Sequence, residues 1–121
     1  MDANIKPLCD HEMIAVFARK RPHFIRLPGK CATSTLEFPI PSKKRHPTEK
    51  PLALYDWLVR RYCPEGGTVL DPTAGSFNSC FAAVAAGRKA IGIEKDEGFF
   101  KKAKERLETL EPVSENQIVQ S

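Results

Sequence analysis

Val69-Leu-Asp-Pro-Thr-Ala-Gly-Ser76, followed along the chain by Ile91-Gly-Ile-Glu94, is the stretch of sequence that decides the fold. Its two short apolar runs predict strands over 68–71 and 90–93, and the small residues between them predict a helix over 77–86. Strands that alternate with helices imply parallel pairing through a right-handed crossover. The sequence therefore predicts an α/β fold.

The ends of these two strands carry the polar residues best placed to bind a ligand. Asp71 ends the first strand and Glu94 follows the second, and α/β sheets bind ligands just beyond the carboxyl ends of their strands. Gly75 lets the backbone approach a bound molecule, and the following helix points its free N–H groups at the same place. Because a carboxylate at the position of Glu94 can accept hydrogen bonds from both hydroxyls of a ribose, the pattern indicates an adenosine-containing cofactor.

The charge of the loop narrows the choice of cofactor. A dinucleotide needs the G-x-G-x-x-G turn, whereas this loop has the single glycine Gly75 and an aspartate beside it. Asp71 would repel a diphosphate but can receive the ammonium group of an amino-acid moiety. S-adenosylmethionine therefore fits better than a nicotinamide dinucleotide, although the reading of Asp71 as a simple loop cap stays open.

Two further helices are predicted around this unit. Apolar residues recur at helical spacing over 49–62, with Thr48 able to cap that helix and Pro51 tolerable in its first turn. Asp96 caps another helix, which closes before Pro112. Both helices would flank the sheet.

The two ends of the chain give different predictions. The continuous apolar run 13–17 predicts a third strand, buried on both faces. The polar segment 113–121 predicts a flexible tail. Because 121 residues are too few for two full domains, we expect one domain over 1–112.

Basic residues are concentrated in the first half of the chain. Residues 1–61 hold twelve Lys/Arg against six Asp/Glu, while residues 62–121 hold seven against nine. The segment 22–47 is rich in proline, basic and aromatic residues, which predicts a loop suited to phosphates and bases. A solvated linker is the alternative reading of this loop. The candidate DNA-binding residues are Arg19, Lys20, Arg21, Lys43, Lys44 and Arg45.

Several classes of protein are excluded or disfavoured by pattern. The four cysteines form no C-x-x-C pair, so neither a zinc site nor a disulfide scaffold is predicted, and no metal is expected. No apolar run approaches the roughly 20 residues that cross a bilayer. We therefore expect a cytoplasmic protein without a membrane partner.

Three motifs in this order resemble a known family. His46-Pro-Thr-Glu-Lys-Pro51, then Val69-Leu-Asp-Pro-x-x-Gly-Ser76, then Gly92-Ile-Glu94 is similar to the C-terminal half of the DNA amino-methyltransferases. These enzymes methylate the exocyclic amine of adenine or cytosine, here in the permuted order that puts the catalytic motif before the cofactor motifs. The resemblance implies a partial Rossmann-like methyltransferase sheet with flanking helices, S-adenosylmethionine as cofactor and double-stranded DNA as partner.

The resemblance also assigns roles to residues. It implies that Thr48 to Pro51 pack over the methionine end of the cofactor, that the loop after Asp71 cradles it, and that Glu94 holds the ribose. The segment 22–47 takes the place of a target-recognition element. The implied cofactor-binding residues are Thr48, Glu49, Lys50, Pro51, Asp71, Thr73, Ala74, Gly75, Ser76, Phe77 and Glu94.

Two departures from the family pattern have consequences. Phe77 stands where the family usually has a second glycine, so its ring either stacks near the adenosine or narrows the pocket. The family's Asp/Asn/Ser-Pro-Pro-aromatic motif, which orients the target amine on a flipped base, is absent, and no Pro-Pro occurs in the sequence. No catalytic residue can be assigned. Two readings stay open. The first is the cofactor-binding part of an enzyme, either as a truncated open reading frame or as one part of a split enzyme whose second chain carries the catalytic motif. The second is a non-catalytic remnant or subunit that binds DNA or S-adenosylmethionine. Restriction-modification, phage protection and gene control are all compatible settings.

Overall fold

The computed structural model describes residues 11–27, 35–39, 46, 48–110 and 117–120. Its elements, in chain order, are α1 (Leu52–Tyr62), β1 (Thr68–Asp71), α2 (Asn78–Ala85), β2 (Lys89–Glu94), α3 (Glu97–Glu108) and β3 (Gln117–Gln120). The three strands form one parallel sheet in the order β1-β2-β3. The α/β prediction and both central strands are confirmed.

The core lies between the helices and one face of this sheet. α2 is rich in alanine, which lets it pack closely on the strands and on α1. The side chain of Phe77, at the start of α2, is the largest fully buried side chain among the described residues. The other buried members of the cluster are Val59, Ala74, Cys80, Phe81, Ala83, Ala86, Ala90 and Ala103.

The helices begin and end near the predicted residues. Pro51 stands at the N-cap of α1, where its missing N–H costs nothing, but Thr48 does not cap this helix as predicted. The hydroxyl of Thr48 instead lies 3.0 Å from Nδ1 of His46. Asp96 caps α3 as predicted, since its carboxylate accepts a hydrogen bond from the amide of Phe99 at 3.0 Å.

The strand predicted over 13–17 is wrong. These residues are described but form no strand, and the side chains of Met13 and Phe17 are 91% exposed. Further along the chain, the amide of Ile25 donates a hydrogen bond to the carbonyl of Arg61, in α1, at 2.7 Å. An apolar run becomes a strand only where a neighbouring strand satisfies its backbone, and no such neighbour lies beside it among the described residues.

The flexible tail predicted over 113–121 is also corrected. Residues 117–120 form β3, which pairs in parallel with β2 from Ile91 to Glu94. Backbone hydrogen bonds to the edge of β2 stabilise this strand. It was not predicted from the sequence because its first and last residues are polar. Residues 111–116 and 121 lie outside the described part of the chain.

No helix in the described ranges is both long enough and apolar enough to cross a membrane. Within the same ranges, no group of three or more His, Cys, Asp or Glu side chains is arranged to hold a metal ion.

Candidate functional site

The candidate site is the loop between β1 and α2, at the carboxyl edge of the sheet. The amide of Ala74 donates to the carbonyl of Ile93 at 2.9 Å, which ties the loop to the end of β2. Gly75 adopts a φ of +56°, a conformation that favours glycine, and turns the backbone toward the next strand. The sheet edge therefore brings the end of β1 and the end of β2 together, as the sequence predicted.

Glu94 closes the loop from the side of β2. One carboxylate oxygen accepts a hydrogen bond from the amide of Gly75 at 2.9 Å, and the other accepts from the amide of Asp96 at 2.8 Å. A carboxylate offers about four lone-pair sites, so two remain for further donors. The half-buried side chain is thus held in one orientation while keeping capacity to accept hydroxyl groups.

Asp71 is held from two sides at the end of β1. Its Oδ1 accepts a hydrogen bond from the amide of Thr73 at 3.0 Å, and its Oδ2 accepts from the hydroxyl of Ser79 at 2.5 Å. Burial raises the pKa of the nearby Tyr55, and the negative charge of Asp71 raises it further. Asp71 thus both closes its own turn, as the loop-cap reading expects, and places a fixed negative charge at the sheet edge.

The segment from Thr48 to Pro51 lies against the start of α2, next to this loop. Glu49 is only 6% exposed, and its amide donates to the carbonyl of His46 at 3.0 Å. The carbonyl of Lys50 accepts a hydrogen bond from the side chain of Asn78 at 3.0 Å. The structure therefore brings together two candidate cofactor-binding segments that are about twenty residues apart in the sequence.

His46 lies in front of the loop, although it was not singled out as a site residue. Its ring packs on Phe99, with centroids 4.2 Å apart, and a Cβ added to Gly75 would come within 3.3 Å of it. The amide of Thr48 donates to its Nδ1 at 3.2 Å, which fixes the ring. Its place in the string His46-Pro-Thr-Glu-Lys-Pro51 was the available sequence signal.

Phe77 does not occupy the place expected of it. Its ring is 0% exposed and packs edge-on to Phe100 in the core, so it neither stacks in the loop nor narrows an open pocket. A Cβ on Gly92 would come closer than 3.0 Å to this ring and to Sγ of Cys80. Phe77 itself has a φ of +64°, in the left-handed region of backbone conformation that favours glycine.

One residue that the sequence reasoning missed, Arg106, links α3 to the loop and to the start of α2. Arg106 donates to the carbonyl of Ser76 at 3.3 Å and to Oδ1 of Asn78 at 2.8 Å. Its guanidinium also lies 4.0 Å from the centre of the Phe81 ring. A shallow cleft opens here, lined by Gly75, Ser76, Phe99, Lys102, Ala103 and Arg106. The sequence signal for Arg106 was its position on the helical repeat of α3. Its partners, Ser76 and Asn78, lie in a different part of the chain, so they could not be identified from that repeat.

Three of the six candidate DNA-binding residues lie in the described part of the chain. Arg19, Lys20 and Arg21 are exposed in the segment that precedes α1. Lys43, Lys44 and Arg45 lie outside the described residues. Phe24, one of the aromatic residues of the predicted loop, packs on Tyr62 with centroids 5.3 Å apart and remains 42% exposed.

The burial of Cys80 gives this region a second electrostatic feature. Desolvation raises the pKa of its thiol to about 11, the hydrogen bond from Ser79 acts in the opposite direction, and Asp71 adds to the rise. The thiol is therefore protonated at neutral pH and packs as an apolar group.

The sequence of the chain is similar to that of known DNA methylases. The family profile described as DNA methylase matches residues 10–105. The chain is 36% identical to the protein YubD of Escherichia coli (strain K12) over 80% of this chain and 41% of that protein. It is 39% identical to the DNA adenine methyltransferase YhdJ of the same organism, over 62% of this chain and 26% of YhdJ.

A solved structure supports the same likeness. The crystal structure of the M1.HpyAVI-SAM complex superimposes with a TM-score of 0.65 and 32% sequence identity, covering 72% of this chain and 44% of that chain. The chain spans less than half the length of each of these relatives.

Proposed function

The chain belongs to the DNA methylase family, and we propose that it is the cofactor-binding part of a site-specific DNA methyltransferase. The observation that carries the proposal is the convergence of Asp71, Gly75 and Glu94 at one edge of the sheet, with Glu94 bonded to the Gly75 amide at 2.9 Å. The reaction would transfer a methyl group from S-adenosylmethionine to an exocyclic amine of adenine or cytosine in double-stranded DNA.

The residues present fit S-adenosylmethionine. The loop offers two half-buried carboxylates, and the approach of Asp71 to the helix start disfavours a ligand with phosphates. S-adenosylmethionine has a ribose, an amine and a sulfonium but no phosphate, and when bound it supplies the methyl group. The likeness to the M1.HpyAVI-SAM complex supports the same choice.

Each residue then has a defined task. Glu94 accepts the ribose hydroxyls with the lone pairs that Gly75 and Asp96 leave free. Asp71 receives the ammonium group, and Ser79 keeps its carboxylate pointed toward the loop. The segment from Thr48 to Pro51, anchored by Asn78, covers the methionine end. Binding and orientation are the tasks of this chain, since the Pro-Pro-aromatic motif is absent from its sequence.

The absent motif also favours a second candidate, a non-catalytic module that binds S-adenosylmethionine or DNA. The enzyme part and a module that binds S-adenosylmethionine both expect S-adenosylmethionine to bind more tightly than NAD in calorimetric titrations of the purified chain. Equal affinity for the two ligands, or none for either, rejects both and leaves a module that binds DNA alone. Labelled methyl groups transferred to duplex DNA, once the Pro-Pro-aromatic motif is supplied by a second polypeptide, favour the enzyme part, and binding without transfer favours the module.

The basic residues before α1 are proposed to contact DNA phosphates. Replacing Arg19, Lys20 and Arg21 by glutamine should flatten the salt dependence of DNA binding, by about 0.9 in the log–log slope for each lost phosphate contact. The same test applies to Lys43, Lys44 and Arg45. A matched control replaces three exposed lysines elsewhere, Lys95, Lys101 and Lys104. An unchanged slope in the test variants, or an equal change in the control, would show that these residues do not contact DNA phosphates specifically.

A further inference from the structure

Arg106 reaches from α3 to the residues around the start of α2. Its Nη1 donates a hydrogen bond to Oδ1 of Asn78 at 2.8 Å and another to the carbonyl of Ser76 at 3.3 Å. The guanidinium also lies 4.0 Å from the centre of the Phe81 ring, in the next turn of α2. Two hydrogen bonds and a cation–π contact therefore hold this side chain in one place.

Asn78 connects this fixed guanidinium to the segment before α1. Asn78 is only 3% exposed, and its Nδ2 donates a hydrogen bond to the carbonyl of Lys50 at 3.0 Å. A guanidinium only donates hydrogen bonds and a carbonyl only accepts them, so a single orientation of the Asn78 amide satisfies both partners. The reversed amide would place donor against donor and acceptor against acceptor in a buried site. Arg106 therefore fixes the direction in which Asn78 donates.

The bond from Asn78 attaches the segment from Thr48 to Pro51 to α2. Another hydrogen bond of this segment, from the amide of Glu49 to the carbonyl of His46 at 3.0 Å, is local and shapes the turn. Of these two bonds, the one from Asn78 to the Lys50 carbonyl is the one that crosses to another element. The position of the segment relative to the cofactor loop therefore depends on Asn78.

We propose that Arg106 is a positioning residue for the methionine end of S-adenosylmethionine, acting through Asn78 on the segment from Thr48 to Pro51. The inference rests on the proposed function, in which that segment covers the methionine end of the cofactor. Glu94, assigned to the ribose, is held instead by the amides of Gly75 and Asp96. Loss of the Arg106 contacts should therefore weaken binding of the methionine end and spare that of the adenosine.

The test compares two ligands by isothermal calorimetry with the wild-type chain and its variants. One is S-adenosylmethionine, and the other is 5′-methylthioadenosine, which keeps the adenosine and the sulfur but lacks the amino-acid end. Arg106→Met keeps an unbranched apolar side chain beside Phe81 but removes the hydrogen bonds to Ser76 and Asn78. We expect it to weaken S-adenosylmethionine binding by about tenfold or more and to change 5′-methylthioadenosine binding by less than about twofold.

The charge of the ligand makes the direction of this effect informative. S-adenosylmethionine has a sulfonium, an ammonium and a carboxylate, so its net charge is positive. Removing the positive charge of Arg106 would by itself strengthen binding of a cation. A loss of affinity must therefore come from the lost hydrogen bonds.

Asn78→Asp tests the same connection while keeping the contact with Arg106. The carboxylate still accepts from the guanidinium and stands at the start of α2, where a negative charge is favourable. It cannot donate to the Lys50 carbonyl, so we expect the same selective loss of S-adenosylmethionine affinity. Lys104→Met is the matched control, because it removes an exposed positive charge from α3 and should leave both affinities unchanged.

Two results overturn the inference. Equal losses for the two ligands in Arg106→Met and Asn78→Asp would show that these residues support the fold alone, and wild-type affinity for S-adenosylmethionine in either variant would show that the connection has no part in binding. Either result, with a wild-type chain that binds S-adenosylmethionine, rejects only the positioning role. A wild-type chain that binds neither ligand rejects the proposed function itself.

Discussion

The carboxylate of Glu94 accepts a hydrogen bond at 2.9 Å from the backbone amide of Gly75, nineteen residues earlier in the chain. This bond fastens the loop after β1 to the end of β2. The side chain proposed to hold the ribose is therefore also the one that shapes the cofactor loop. Under the proposed function, ribose binding and the local structure of the loop would both depend on this carboxylate.

Replacing Glu94 by alanine should weaken S-adenosylmethionine binding at least tenfold, or about 1.4 kcal/mol. The ribose loses its acceptor and the Gly75 amide loses its partner, so the loop is also less well fixed. Isothermal calorimetry measures the effect. Glu65→Ala, which removes an exposed carboxylate in a turn remote from the loop, is the control and should bind normally. Wild-type affinity in the Glu94 variant contradicts the ribose assignment.

Asp71 and Ser79 should behave as a coupled pair. Asp71→Ala should lower affinity for S-adenosylmethionine at least tenfold because the ammonium group loses its counter-charge. Ser79→Ala should lower it by less, since the amide of Thr73 still holds one oxygen of the carboxylate. In a double-mutant cycle the Ser79 effect should vanish once Asp71 is gone. Additive effects would show that Ser79 acts on stability alone.

Gly92 and Phe77 should be coupled through the core. Gly92→Ala should destabilise the fold by about 1–3 kcal/mol, because the added methyl group collides with the Phe77 ring. Phe77→Gly removes the strain of a positive φ, which is worth roughly 1 kcal/mol. It also leaves a cavity where the ring was, and the loss of a buried Phe costs about 3–5 kcal/mol, so this variant should be destabilised as well. Denaturant unfolding of the double variant should show the Gly92 penalty reduced or lost. A penalty of the same size in both backgrounds is the contrary result.

Stability should fall as the pH rises from 9 toward 11. The pKa of Cys80 is about 11 in the folded state against 9.0 in the unfolded chain. The folded state therefore binds more protons between these two pH values, and its stability falls as the pH rises. The raised pKa of Tyr55 acts in the same direction. The loss attributable to Cys80 is on the order of 2 kcal/mol. Urea unfolding at pH 8 and at pH 10.5 measures it, and Cys80→Ala should show a smaller drop; an equal drop refutes the role of the thiol.

The central unit could be predicted because its signals are local. Apolar runs of strand length, the single glycine of the loop and the cap residue Asp96 each act within a few positions, and the structure has them where the sequence placed them. The placement of Asp71 and Glu94 at one edge of the sheet could be predicted for the same reason, since the position at the end of a strand fixes the edge at which a residue lies.

The errors arose where the outcome depends on a distant partner. The apolar run 13–17 has strand composition but no adjacent strand in the described chain, whereas the short segment 117–120 becomes a strand because β2 offers an edge. Phe77 looked like a ligand contact from its place in the motif, yet Gly92 makes room for its ring in the core. Such pairings cannot be read from spacing along the chain.

The most direct test of the central claim follows backbone amide resonances while S-adenosylmethionine is added to the full chain. We expect the largest shifts on the loop from Asp71 to Ser76 and on Glu94 and Asp96, and we expect NAD at equal concentration to produce smaller shifts there. Shifts confined to other parts of the chain, or equal shifts with NAD, would contradict the assignment of this sheet edge to S-adenosylmethionine.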